Sequence, residues 1–141
     1  MTAVFADTSY WVAIIDARDQ WHSKASSVGR SLDNVLLLTT DEVLIELLAF
    51  FSAFDPRMRQ YVAEFVRALL ASESHVQVVA QSRESFLAGL DLYEKRQDKN
   101  YSLVDCVSMQ LMKAEGLTDV LTNDGHFSQE GFTILLKEKT S

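Results

Sequence analysis

Five glycines, one proline and one cysteine are all that 141 residues contain of those types. So little Gly and Pro excludes collagen-like, linker-like and low-complexity chains, whose backbones depend on those residues. A lone cysteine, Cys106, excludes an internal disulfide, and with three histidines it leaves no Cys/His set for a structural zinc. Cys106 lies in an apolar run and reads as a buried thiol in a reducing compartment, so the expected location is cytoplasmic. No apolar run approaches the roughly 20 residues that cross a bilayer, and Met1 to Asp7 lacks the positive charge of a signal peptide, so no membrane is expected. Positive charge is scarce as well: 13 Lys and Arg against 20 Asp and Glu leave a net charge of -7. That balance argues against a protein gripping nucleic acid through overall electrostatics and favours cations or basic partners. Local basic groups at Arg57, Arg59 and Arg67, and at Lys95, Arg96 and Lys99, read first as solvated helix faces. What remains, 48% hydrophobic and 23% charged residues, is the composition of one folded domain spanning 1–141.

Short β-type runs alternate with longer stretches of helical period, the pattern of crossovers around a parallel sheet. Strands are expected at Ala3 to Ala6, Val35 to Leu38 with Thr39 and Thr40 following, His75 to Ala80, Asp119 to Thr122 and Phe132 to Leu136. Helices are expected at Thr8 to Ala17, Gln20 to Leu32, Asp41 to about Phe54, Pro56 to about Ser72, Arg83 to Gln97 and Leu103 to Glu115. Thr39 with Glu42 forms a capping-box pattern, Asp55-Pro56 a cap followed by Pro at the first helical position, and Gly116 a C-terminal stop. In the fifth helix Phe86, Leu87, Leu90 and Tyr93 are spaced as one buried stripe. Asn123 to Glu130 reads as a loop with a helical turn. The fold class is α/β, a doubly wound parallel sheet of about four or five strands flanked by helices.

Four acids stand out. Asp7 directly follows the first strand, at the carboxyl end of the sheet where open α/β folds place ligands, although it also suits a helix N-cap. Glu46 lies inside Val43-Leu44-Ile45-Glu46-Leu47-Leu48, where a lone carboxylate is costly unless a cation or donor meets it; an Arg partner, or a narrow exposed edge shared with Glu42, is the plainer account. Asp105 sits in Leu103-Val104-Asp105-Cys106-Val107 and equally completes a capping box with Ser102. Asp124 follows the fourth strand in an Asp-Gly pair that any turn could use. Each has a bland explanation singly, but converging at one sheet edge they would form a negative pocket stable only with hard cations or bound protons. Carboxylates with waters suit Mg²⁺ or Mn²⁺, and so phosphoryl chemistry.

With Val4-Phe5-Ala6-Asp7-Thr8-Ser9, Glu46, Ser102-Leu103-Val104-Asp105 and Leu121-Thr122-Asn123-Asp124-Gly125-His126-Phe127 in order and spacing, the chain resembles the PIN-domain family, in particular its VapC-like toxins of toxin–antitoxin pairs. The resemblance covers essentially the whole chain. It implies a PIN-like domain and a Mg²⁺- or Mn²⁺-dependent endoribonuclease acting on RNA. Asp7 and Asp105 would be the principal metal ligands, Glu46 and Asp124 would complete the cluster and orient the attacking water, and Thr8, Ser9 or Thr122 would steady the ligands. It also implies a homodimer and a protein antitoxin that covers the site. The pattern departs in its few, scattered basic residues, and Trp11, Trp21, Phe127 and His126 are other candidates for contact with bases, packing being the commoner use of aromatics. No Ser or Cys nucleophile accompanies His126, so no triad is read. Three alternatives remain: an RNA-processing nuclease without an antitoxin, an acidic interaction module without catalysis, and a phosphatase or DNA nuclease built on the same metal chemistry.

Overall fold

The first strand needs no polar residue because both its faces are covered: Val4, Phe5 and Ala6 are buried, as expected of a central parallel strand. The computed structural model describes residues 3–72 and 75–137; 1–2, 73–74 and 138–141, which the expected domain includes, lie outside the described residues. Around β1 (Ala3–Ala6) the elements run α1 (Thr8–Ile15), α2 (His22–Ser31), β2 (Leu36–Thr40), α3 (Asp41–Phe51), α4 (Pro56–Ala71) and β3 (Val76–Val79). They continue with α5 (Arg83–Lys95), α6 (Leu103–Glu115), β4 (Asp119–Leu121), α7 (Gly125–Gln129) and β5 (Thr133–Ile134).

Every strand pairing is parallel, in the order β3-β2-β1-β4-β5. The chain therefore winds outward from β1 through β2 to β3, then returns to the other side of β1 as β4. That reversal opens a crevice at the carboxyl ends of β1 and β4, the place where doubly wound sheets bind ligands. Pairing of Phe5 with Val120 and Ala6 with Leu121 holds the two strand ends level.

Most element positions agree with the expectations, and the differences have local causes. The box expected from Thr39 and Glu42 does not form: Thr40 caps α3 alone, accepting from the Val43 amide, while Thr39 remains in β2 and donates its hydroxyl to Ala6 O across the sheet. Asp55 caps α4 through the Met58 amide ahead of Pro56. Gly116 ends α6 at φ 69, a left-handed conformation that any side chain would strain. The helical turn expected after β4 is α7. Cys106 is free and fully buried.

One expectation fails outright. Phe86, Leu87, Leu90 and Tyr93 do not form a buried stripe but are exposed, Tyr93 by 52%. The face of α5 that packs inward carries Gly89 and Leu92, because α5 and α6 approach too closely for a large side chain between them. A Cβ at Gly89 would lie 2.5 Å from Val107 Cγ2 and 3.1 Å from the Val107 amide nitrogen, which is backbone and cannot turn aside. Gly89→Ala should therefore destabilise the chain by about 1–3 kcal/mol, although Ala is the better helix former. Chemical denaturation checks this, and a midpoint at or above wild type would refute the close approach.

Candidate metal-binding active site

Asp7 leaves β1 with its amide still in the ladder, donating to Leu121 O at 3.1 Å. Thr122 leaves β4 beside it, and its hydroxyl donates to Asp7 Oδ2 at 2.9 Å, joining positions 115 residues apart. That hydroxyl has a single proton, so in its 2.9 Å contact with Ser9 the donor is Ser9 Oγ. Ser9 Oγ also accepts from the Asn123 amide, and Thr122 Oγ1 from the Asp124 amide. Together these bonds fasten the first turn of α1 to the turn after β4.

Asp7 stands at the N-cap of α1 yet makes no side-chain cap bond, so the ordinary use of an acid at this position is not the one it has. It is 4% exposed, and its Oδ1 is buried without a hydrogen-bond partner among the described residues. Burial pushes its carboxyl up from 3.8 to about 7. The Thr122 hydroxyl bond and the adjacent Thr8 backbone dipole pull it down, and the neighbouring charges of Asp105 and Glu46 push it up further.

Asp105 occupies the third position of α6 and does complete the capping box: its amide donates to Ser102 Oγ, and its Oδ2 accepts from the Ser102 amide at 3.1 Å. The same Oδ2 lies 3.1 Å from His126 Nδ1, so capping does not turn the carboxylate away from the crevice. Asp124 caps the short α7 through the His126 amide, and its Oδ1 is 3.4 Å from His126 Nδ1. Asp105, Asp124 and His126 thus offer one ligand atom each within 4.8 Å of one another.

Glu46 is half-buried and receives a short hydrogen bond from the Thr8 hydroxyl. It is not stranded in a buried helix as its neighbours suggested. Ile45, Leu48 and Phe50 are exposed, so α3 is apolar all round without being buried all round, and Glu46 lies on the boundary.

All four acids line one open cleft of about 730 Å³. His126, Asp19 and Asn100 line it too. His126 had a signal in the sequence, two residues beyond Asp124 in a tight turn, but had been read as a contact for bases. Asp19, whose Oδ1 accepts from the Trp21 amide, and Asn100 had none, because tertiary folding alone brings their loops here. The aromatic candidates divide: Trp11 packs edge-on against Tyr10 and Phe65 and Phe127 is fully buried, so both are core, while Trp21 is half-buried. Arg96, partly exposed just past the end of α5, is more than a solvated surface charge. Its Nε and Nη2 grip Glu130 at 2.9 Å each, Lys113 and the Tyr101 hydroxyl join them, and these partners hold the Glu130 carboxyl down at about 2.

A doubly wound parallel sheet with a carboxylate cleft at its reversal point defines the class. The PIN domain family model matches residues 4–132, and the chain belongs to that family. The 23S rRNA-specific endonuclease VapC20 of Mycobacterium tuberculosis is 27% identical over 129 residues, 92% of this chain and 95% of that protein. Its crystal structure, described as a Sarcin-Ricin loop cleaving toxin, superposes with a TM-score of 0.82 at 25% identity, covering 92% of this chain and 96% of that one. FitAcB from Neisseria gonorrhoeae (TM-score 0.66, 14% identity, 93% of this chain and 95% of that one) shares the fold. So does VapBC2 from Rickettsia felis, bound to a DNA fragment from its promoter (0.68, 14%, 94% and 97%).

Without metal, Asp7 holds a proton in the folded chain over a range where the unfolded chain has lost it. Stability from this group is therefore complete below about pH 4 and declines as pH rises to about 7, by on the order of 4 kcal/mol. In EDTA, thermal melts of wild type should show that decline and melts of Asp7→Asn should lack it, leaving the variant the more stable at pH 8. Equal pH dependence in the two would contradict the buried, cation-free Asp7.

Proposed function

We propose that this chain is a Mg²⁺- or Mn²⁺-dependent endoribonuclease and the toxin of a toxin–antitoxin pair, with Asp7, Glu46, Asp105 and Asp124 as its catalytic residues. The observation that carries this reading is the buried Asp7 Oδ1, without a hydrogen-bond partner among the described residues, in a cleft that Glu46, Asp105 and Asp124 also line. A charged oxygen shielded from water and facing no donor is costly, and a hard divalent cation is the partner whose ligand chemistry fits this set.

In that reading Asp7 and Asp105 hold the cation, joined by Asp124. Thr122 orients Asp7, Ser9 orients Thr122, and Thr8 orients Glu46. A cation held by these acids would supply neutralisation of a phosphate oxygen, a lowered pKa for a water and compensation of charge on the leaving oxygen. Glu46, half-buried at the rim of the cleft, orients the attacking water, and His126 Nδ1 lies 3.1 Å from Asp105 Oδ2 and 3.4 Å from Asp124 Oδ1, joining the two acids through one ring nitrogen.

Supporting RNA as substrate is the similarity to an rRNA-specific endonuclease over 92% of the chain. A protein antitoxin is supported by the shared fold with VapBC2 and by the acidity of the cleft, which suits a basic segment. Exposed Ile45 and Leu48 on α3, and separately Phe86, Leu87 and Leu90 on α5, are apolar side chains that a second copy could cover in a homodimer. A cytoplasmic setting agrees with the unpaired, buried Cys106. Among the described residues no helix is long and apolar enough to cross a membrane.

Incubating a mixed RNA pool with wild type in Mg²⁺, Mn²⁺ or EDTA tests the proposal. Cleavage should need the metal and fall by roughly 100-fold or more in Asp7→Asn. Thr122→Val should lose about 10–100-fold, the usual effect of removing a ligand's supporting partner. Absence of both cleavage and metal binding in wild type would put the noncatalytic interaction module ahead. Cutting of DNA or small phosphate esters with RNA left intact would reassign the substrate.

A further inference from the structure

A second groove opens beside the acidic cleft. It lies at the end of α5 and along the turn that follows, has a volume of about 540 Å³, and is lined by Tyr93, Arg96, Gln97, Lys99, Asn100 and Tyr101, together with Glu94. Two features join it to the cleft. Asn100 lines both spaces. Tyr101, buried in the groove floor, packs its ring 5.4 Å from the ring of His126 in the cleft.

We propose that an RNA strand cut in the acidic cleft continues over Asn100 into this groove, where Lys99 binds a backbone phosphate and Tyr93 stacks on a base. The inference rests on the nuclease reading and assigns its substrate a binding subsite.

Charge distribution favours such a subsite. Four carboxylates can take a phosphate only through a cation, and phosphates beyond that cation's reach meet a protein of net charge -7. Arg57, Arg59 and Arg67 line neither space, and Arg59 is turned onto Ser52 O. Lys113 and one edge of Arg96 are committed to Glu130. Lys99 is differently placed. Its partner is Asp98 at 3.6 Å, and with Asp98 exposed and Lys99 half-exposed the pair is of the kind that exchanges readily for another anion. Tyr93 presents an exposed ring and Gln97 exposed amide groups. Aromatic faces accept any base, and one cation beside one ring fits a short stretch of single strand. Glu94 and Asp98 rule out a long basic track, so the groove suits a single phosphate and its neighbouring base.

The test combines RNA binding with cleavage. A labelled single-stranded RNA oligonucleotide is titrated with full-length Asp7→Asn protein across a range of salt concentrations, alone and with each groove variant added. Tyr93→Ala should weaken binding about tenfold. Lys99→Gln should lower the slope of log K against log salt by about 0.7, the loss of one single-strand phosphate contact. Arg57→Gln removes the same charge from α4 and should leave the slope unchanged. In the cleaving background both groove variants should raise KM. Cleavage by wild type with affinity, slope and KM unmoved by Lys99→Gln and Tyr93→Ala would overturn the groove while sparing the nuclease. Equal slope loss in Arg57→Gln would also overturn it. Binding weakened as expected with no cleavage by wild type would uphold the groove and overturn the nuclease, and no RNA binding at all would end both.

Discussion

The structure turns on an acid placed where an acid is costly. Asp7 stands at the carboxyl end of the central strand, beside β4, which the chain reaches by reversing direction, and it is buried without using its N-cap position for capping. Its one hydrogen-bonded oxygen is served by Thr122, Thr122 by Ser9, and Ser9 in turn fixes Asn123. A buried acid would rather keep its proton than stand charged in the core, and burial with two nearby carboxylates pushes Asp7 to about 7. Near neutral pH this acid is thus poised between holding a proton and holding a cation. A divalent ion would tip it to the charged form and relieve the repulsion from Asp105 and Glu46 in the same step.

The legibility of the sequence follows from the range over which each signal acts. The succession of strands and helices and caps such as Asp55-Pro56 and Ser102 to Asp105 are local, and they were readable because hydrophobic period and capping chemistry are written over a few residues, whereas the order of strands in the sheet was not. The four acids were readable because each stands at a strand end or in an apolar run, where an acid calls for explanation. The α5 stripe was misread for an instructive reason. Helical period shows that one face is apolar but not which face is packed, and Gly89 against Val107 decides that through a contact between two helices. Asp19 and Asn100 carried no local mark at all, since they enter the cleft only through loops assembled by the whole fold.

Ordinary capping and site building prove compatible here, and the reason is geometric. A side chain at an N-cap or third helical position projects past the helix end, and in a doubly wound sheet helix starts gather at the carboxyl edge. Asp105 and Asp124 can therefore satisfy helix amides with one lone pair and face the crevice with the rest, which a carboxylate's several acceptor sites allow. Choosing between a capping acid and a ligand acid was the wrong question at these two positions. At Asp7 it was the right one, because there the cap bond is absent.

The most weakly supported part of the site is α7, five residues that no isolated helix could sustain, yet it presents both Asp124 and His126. Its stability comes from outside. Glu130, immediately after α7, is almost fully buried and is held by Arg96 from the end of α5, by Lys113 from α6 and by Tyr101 from the loop between them. Because those partners depress the Glu130 carboxyl, its contribution to stability is present above its ordinary value of 4.5 and fades as pH falls toward about 2. Asp7 has the opposite dependence, losing stability as pH rises to about 7. The anchor of α7 is therefore intact throughout the range in which Asp7 gives up its proton. The turn that carries Asp124 and His126 is held in place at just the pH where Asp7 gives up its proton.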